Sequence, residues 1–181
     1  MTVKDAPNNY VYRMDHDTGF APNTEYNICT LSGCKNSKNG KRKNIEESAA
    51  KGSWVIGIGG NKTGKPNKLI YAMEVEENLP YPEFRKKYSQ KSVYLRPKNA
   101  GTNVLVSVNF YYFGNNAIDL PNELKHIIVD THGCRCVSNK DVSRLKKYIE
   151  QCGYAKYGAY GEPNNPKLSC RNKNTAASAC L

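Results

Sequence analysis

The side chains best suited to chemistry lie near the start of the chain. His16 stands beside Asp17, and an imidazole next to a carboxylate can act as a general base or as a hydrogen-bonding pair. An ordinary surface His–Asp neighbour pair is the plainer alternative. The stretch continues Thr18-Gly19-Phe20-Ala21-Pro22-Asn23, and Cys29 and Cys34 follow it. A thiol close to Lys35 gains a lowered pKa and can serve as a nucleophile, which makes Cys34 a candidate. Cys29 reads more readily as a small buried hydrophobe.

Metal and cofactor chemistry find no support. His132-Gly133-Cys134-Arg135-Cys136 is dense in ligand-type residues, but its cysteines are too close for a zinc knuckle, and the Cys29/Cys34 spacing does not match one. The phosphate-binding P-loop, the GxSxG elbow and the HExxH helix are all missing from the sequence. Gly57-Ile58-Gly59-Gly60 follows an apolar run yet opens no helix, which excludes a dinucleotide fingerprint. Glycine there permits tight turning or the close approach of a ligand.

Lys and Arg number 27 against 16 Asp and Glu, a formal charge of +11, which speaks about partners rather than fold. It points to phosphate, in a nucleic acid or a nucleotide. Tyrosine occurs 13 times against 4 Phe and 1 Trp, and tyrosine rings on a basic surface are stacking platforms for bases. No apolar run approaches the roughly 20 residues of a membrane helix, so no membrane partner is expected. The cysteines are odd in number, 7, and no apolar leader is visible. They read as reduced thiols of a cytoplasmic protein.

These groups must be held by short strands separated by turns. Tyr10 to Met14 alternates and reads as a first strand, and Asn44 with Glu47 resembles a capping box opening a short helix, Ile45 to Lys51. Ser53 to Ile58 and Leu69 to Val75 form a hairpin with a long glycine-containing loop. Pro82 starts a helix to about Tyr88. Val93-Tyr94-Leu95 is a brief strand, Asn103 to Phe113 one long central strand, and Ile127-Ile128-Val129 a buried strand. Asn139, as cap, opens the clearest helix, which places Val142, Leu145, Ile149 and Cys152 on one face and stops at Gly153. The basic loop Lys35 to Lys43 is solvated or phosphate-facing. One domain over residues 1–170 is expected, with 171–181 a flexible tail. Mainly antiparallel strands with a few peripheral helices make an α+β domain or a small closed barrel.

Several segments together resemble a known family. His16 to Asn23 (HDTGFAPN), Cys29-Thr30-Leu31 with Cys34-Lys35, Gly52 to Gly57 (GSWVIG) and Leu69 to Met73 (LIYAM) occur in the order of the nucleotide-modification-associated domain, second family. Pro82-Glu83-Phe84, Val104 to Ser107 and Phe110 to Gly114 extend the similarity to roughly residues 10–165. Departures are Asn36 after the Cys-Lys pair, Ser53 before Trp54, and a longer basic stretch from Asn36 to Lys43. That family is bacterial and phage-borne and is associated, through gene neighbourhoods, with enzymes that modify or process bases in DNA. The helix, glycine and WVIG/YAMEV hairpin also resemble PUA-like barrels of the ASCH, EVE and YTH group, which pocket a base.

The resemblance implies a pocket lined by Asp17, Thr18, Phe20, Asn23, Cys34, Lys35 and Trp54. Phe20 or Trp54 would stack on a base, Asn23 and Asp17 would read its edge, and Lys35 would hold a phosphate. Each has a plainer duty: Trp54 as core, Asn23 as turn residue, Asp17 as loop cap. The leading expectation is a nucleotide- or nucleic-acid-binding protein recognising a base, whether or not modified, in a bacterial or phage-infected cell. The alternatives are an enzyme acting on a base through Asp17, His16 or Cys34, and a basic module that binds a protein partner.

Overall fold

Strand formation follows the alternation of apolar residues. A computed structural model describes residues 7–32, 44–89, 103–130 and 133–166. The strands are β1 (Asn9–Met14), β2 (Cys29–Leu31), β3 (Trp54–Gly59), β4 (Leu69–Glu74), β5 (Glu77–Pro80), β6 (Asn103–Ser107), β7 (Phe110–Tyr112), β8 (Cys134–Val137) and β9 (Gly158–Ala159). The helices are α1 (Ile45–Ser48), α2 (Tyr81–Lys87) and α3 (Asn139–Gln151). Six strands form one sheet in the order β8-β1-β3-β4-β7-β9, and β2-β6-β5 form a second. β1 runs parallel to β3 and β7 parallel to β9; the other pairs are antiparallel. The class is α+β as expected, but the described strands make two open sheets rather than a closed barrel.

The two sheets are joined by a shared bend. β4 opposes β7 with Tyr71 facing Tyr112, and β5 opposes β6 in the same register, with Glu77 facing Val106. One long hairpin therefore crosses from sheet to sheet. The predicted single strand Asn103 to Phe113 is broken at Val108-Asn109, where Ser107 Oγ accepts from Asn109 N at 2.9 Å and Glu76 Oε2 accepts from Val108 N at 3.0 Å. These local bonds replace ladder bonds at the corner and leave Val108 exposed.

Side-chain alternation divides the core into layers. Tyr12, Met14, Val55, Tyr71, Met73 and Tyr112 meet Cys29, Leu31 and Leu105 between the sheets. Trp54, Ile56, Ile58, Tyr111 and Phe113 face the other way, against Leu145 and Ile149 of α3. Val104 and Val106 turn outward onto Phe84 of α2 and Phe20. Gly57 makes room for the Tyr71 ring and the Met14 sulfur, so the space beside this glycine is filled by protein rather than a ligand.

Other boundaries differ from expectation. Ile127-Ile128-Val129 is not a strand: a 3-10 segment, Asn122–Ile127, sinks Leu124 and Ile127 into the core instead. α1 ends at Ser48, with its Asn44/Glu47 capping box in place. The cap of α3 is Ser138, whose Oγ accepts from Asp141 N at 3.1 Å; Asn139 instead accepts from Asn9 Nδ2 at 2.7 Å. The Val93-Leu95 strand, the basic loop, His132 and the 171–181 tail lie outside the described residues. Among the described residues no helix is long and apolar enough to cross a membrane.

Candidate functional site

Asp17 is fully buried, and both carboxylate oxygens are engaged. Oδ1 accepts from the Tyr112 hydroxyl at 2.7 Å. Oδ2 accepts from Asn164 N at 3.0 Å and Asn164 Nδ2 at 2.8 Å. The Asp17 backbone adds two bonds to the next residue: its N–H donates to Asn165 Oδ1 at 2.9 Å, and its carbonyl accepts from Asn165 N at 2.8 Å. Burial, and then the charge of Asp17, pushes the Tyr112 phenol far up, so Tyr112 stays a donor. One carboxylate thus fastens the early loop, β7 and the C-terminal segment together.

That segment rides along the sheet edge. After β9, Tyr160 N donates to Tyr112 O, and Asn115 brackets Glu162 by donating to its carbonyl at 2.8 Å and accepting from its N–H at 3.0 Å. The approach is close enough that a Cβ at Gly161 would collide with the Phe113 carbonyl. Gly19, at φ +74°, leaves room for Pro163, whose Cγ would lie 2.5 Å from a Cβ there.

Between the loop and this segment lies a cleft of about 510 Å³. Thr18 and Gly19 form one wall, Gly161, Glu162 and Pro163 the other, and Tyr112 lies at its base. Thr24, Glu25 and Tyr26 close a third side. Tyr26 adopts a left-handed backbone, φ +58°, and the residue is 49 % exposed. Glu25 and Glu162 are the charged side chains among the described lining residues; none is Lys or Arg.

The residues singled out from sequence are only partly brought together. Asp17 lies beneath this cleft and Thr18 lines it. Asn23 holds the loop: its backbone pairs with Thr30, and its Oδ1 accepts from Glu25 N at 3.0 Å. Phe20 is buried against α2's cluster. Trp54 points into the core on the opposite face of the large sheet, with Lys146 Nζ 5.1 Å from its ring centroid. His16 is exposed and makes no hydrogen bond or ion pair among the described residues. Cys29 is buried, which pushes its thiol up and away from nucleophilic use. Cys34 and Lys35 lie outside the described residues.

A family model, nucleotide modification associated domain 2, matches residues 6–100 and 84–170. The chain belongs to this family. The matched span includes both cleft walls, the Asp17 loop and the C-terminal segment. No curated protein and no solved structure matches the chain. Within this nucleotide modification associated domain, Tyr26, Tyr112, Glu162, Asn164 and Asn165 were missed by the sequence reading. For Glu162, Asn164 and Asn165 the one signal is Gly161-Glu162-Pro163-Asn164-Asn165-Pro166, a turn-rich stretch that composition alone assigns to a tail.

Proposed function

We propose that the protein binds a base, as part of a nucleotide or nucleic acid, in the cleft clamped by Asp17. The observation that carries this is the cleft itself: two walls fastened through a buried carboxylate around about 510 Å³, within the range of small-molecule sites. Membership of a nucleotide-modification-associated family supports the ligand class. Asp17, with its oxygens occupied, positions the walls rather than meeting the ligand. Tyr26 offers an aromatic face at the rim for stacking.

The charge of the lining orients the ligand. Carboxylates accept hydrogen bonds and repel phosphate, so a base enters with a donating edge facing Glu25 or Glu162, and its phosphates point outward. Guanine, with adjacent N1–H and N2–H2 donors, suits a carboxylate best. Outside the cleft, exposed Lys62 lies on the loop whose carbonyl accepts from Asn165 Nδ2 at 3.3 Å.

A thermal-shift panel of nucleosides and nucleotides tests this reading. A ligand at 100 times its Kd adds about 2.7 kcal/mol, which raises Tm by about 5–10 °C for a chain of this size. Guanosine and its monophosphate should shift Tm alike, inosine less, and Glu162→Gln should reduce the guanosine shift. No shift with any nucleoside or nucleotide overturns it.

A further inference from the structure

A second charged feature lies on the other side of the large sheet. α3 turns Val142, Leu145 and Ile149 inward. Its outer surface carries Lys140, Arg144 and Lys147 at i, i+4 and i+7, all exposed. At 1.5 Å per residue they span about 10 Å in a row. None of the three makes an ion pair among the described residues. Of the nearby carboxylates, Asp141 meets His126 at 3.1 Å and Asp119 pairs with Lys68 at 2.8 Å, whereas Glu123 and Glu150 make no ion pair among the described residues. Beside this row, residues Glu123, Arg144, Lys147, Tyr148 and Gln151 line a groove of about 400 Å³. Glu123 belongs to the 3-10 segment whose Leu124 and Ile127 join α3 in the core layer beyond the sheet from Tyr112. The groove is therefore separate from the cleft.

We propose that this groove and the cation row dock the sugar–phosphate backbone of a polynucleotide. Three cations in a row of about 10 Å, with no ion pair among the described residues, offer a strand's phosphates successive contacts. Arg144 can take a phosphate with its planar fork and Lys147 as a point charge. Tyr148 and Gln151 add an aromatic face and an amide beside them, which suits a flanking base better than an acidic peptide. Glu123, which lines the same groove, opposes phosphate binding and limits its affinity.

Fluorescence anisotropy with a 12-nucleotide single strand, as DNA and as RNA of one sequence, tests the assignment. Three contacts of ~0.7 each give a slope of log K against log salt of about −2, or about 20-fold weaker binding from 50 to 200 mM salt. Arg144→Glu/Lys147→Glu should lose about tenfold or more at 50 mM and flatten the slope toward about −0.7. Arg144→Gln/Lys147→Gln should flatten it equally with a smaller loss, and Glu123→Gln should tighten binding. Arg85→Glu/Lys86→Glu on α2 changes net charge by the same amount and should leave binding near wild type. Equal losses in the α2 and α3 reversals would reduce the effect to net charge and overturn the site. Wild-type binding by the α3 variants, no binding at 50 mM salt, or displacement by polyglutamate at equal charge would overturn it too, the last in favour of an acidic protein partner. A preference for RNA or for DNA names the polymer and upholds the site.

Discussion

The Tyr112 hydroxyl donates to Oδ1 of buried Asp17 across 95 positions of sequence, at 2.7 Å. Around this bond the sheet, the early loop and the C-terminal segment are tied together by hydrogen bonds. A buried carboxylate is tolerated only where its oxygens are satisfied, and here three donors do so.

Removing either partner should therefore be costly. Tyr112→Phe removes a hydrogen bond to a charged acceptor and should lower stability by about 1.5–3 kcal/mol in urea unfolding. Asp17→Ala leaves the Tyr112 hydroxyl and both Asn164 N–H donors without their acceptor and should cost more. The double variant should cost less than the two single costs combined, because each breaks the same bond. Additive costs would mean that the bond contributes nothing.

Gly161 tests the cleft wall by steric means. Its Cβ space is taken by the Phe113 carbonyl, so Gly161→Ala should push the segment off β7. Faster proteolysis between Tyr157 and Pro166, with the rest of the fold intact, is the expected result. Unchanged protection there would contradict the packing.

The corner between the sheets depends on Ser107. This fully buried hydroxyl accepts from Asn109 N at 2.9 Å and donates to Asn109 O at 3.0 Å. Ser107→Ala leaves a backbone N–H without its partner at the bend and should cost about 1–3 kcal/mol, read from chemical denaturation.

Glu77 gives a pH signature. Hydrogen bonds from Lys87 and then Tyr88 hold its carboxyl below the usual range. A lowered folded pKa adds stability above the unfolded value, near 4.3, that is lost as pH falls through the folded one. Glu77→Gln should thus be less stable than wild type at pH 7, and the difference should vanish in acid. Tyr88 is pushed up to about 12 by burial and then by its bond to Glu77. Its contribution is full below about pH 10 and fades as pH rises through about 12.

Local pattern carried β1, β3, β4, the β6–β7 stretch and α3, though not β2, β5, β8 or β9, because alternation and the i, i+3, i+7 face of Val142, Leu145 and Ile149 reflect burial directly. It failed where tertiary contacts decide. Ile127 and Ile128 look like strand residues, but a 3-10 turn buries Leu124 and Ile127 without a ladder. Asn103 to Phe113 alternates throughout, and only its partners reveal the break at Val108. For the site, Asp17 and Thr18 were legible in a distinctive loop. Asn164 and Glu162 were not, because a segment that docks through backbone bonds and glycine gaps leaves no hydrophobic period. The resemblance implies Trp54 in the pocket, yet β3 alternation turns it into the core with Ile56 and Ile58.

The most direct test of base binding in the cleft is an amide ¹H–¹⁵N correlation titration of the whole chain with guanosine 5′-monophosphate. The expected result is saturable shifts at Thr18, Gly19, Thr24, Tyr26, Gly161 and Glu162, with α3 amides unmoved. No shift at millimolar ligand, or shifts confined to residues away from the two walls, would contradict it.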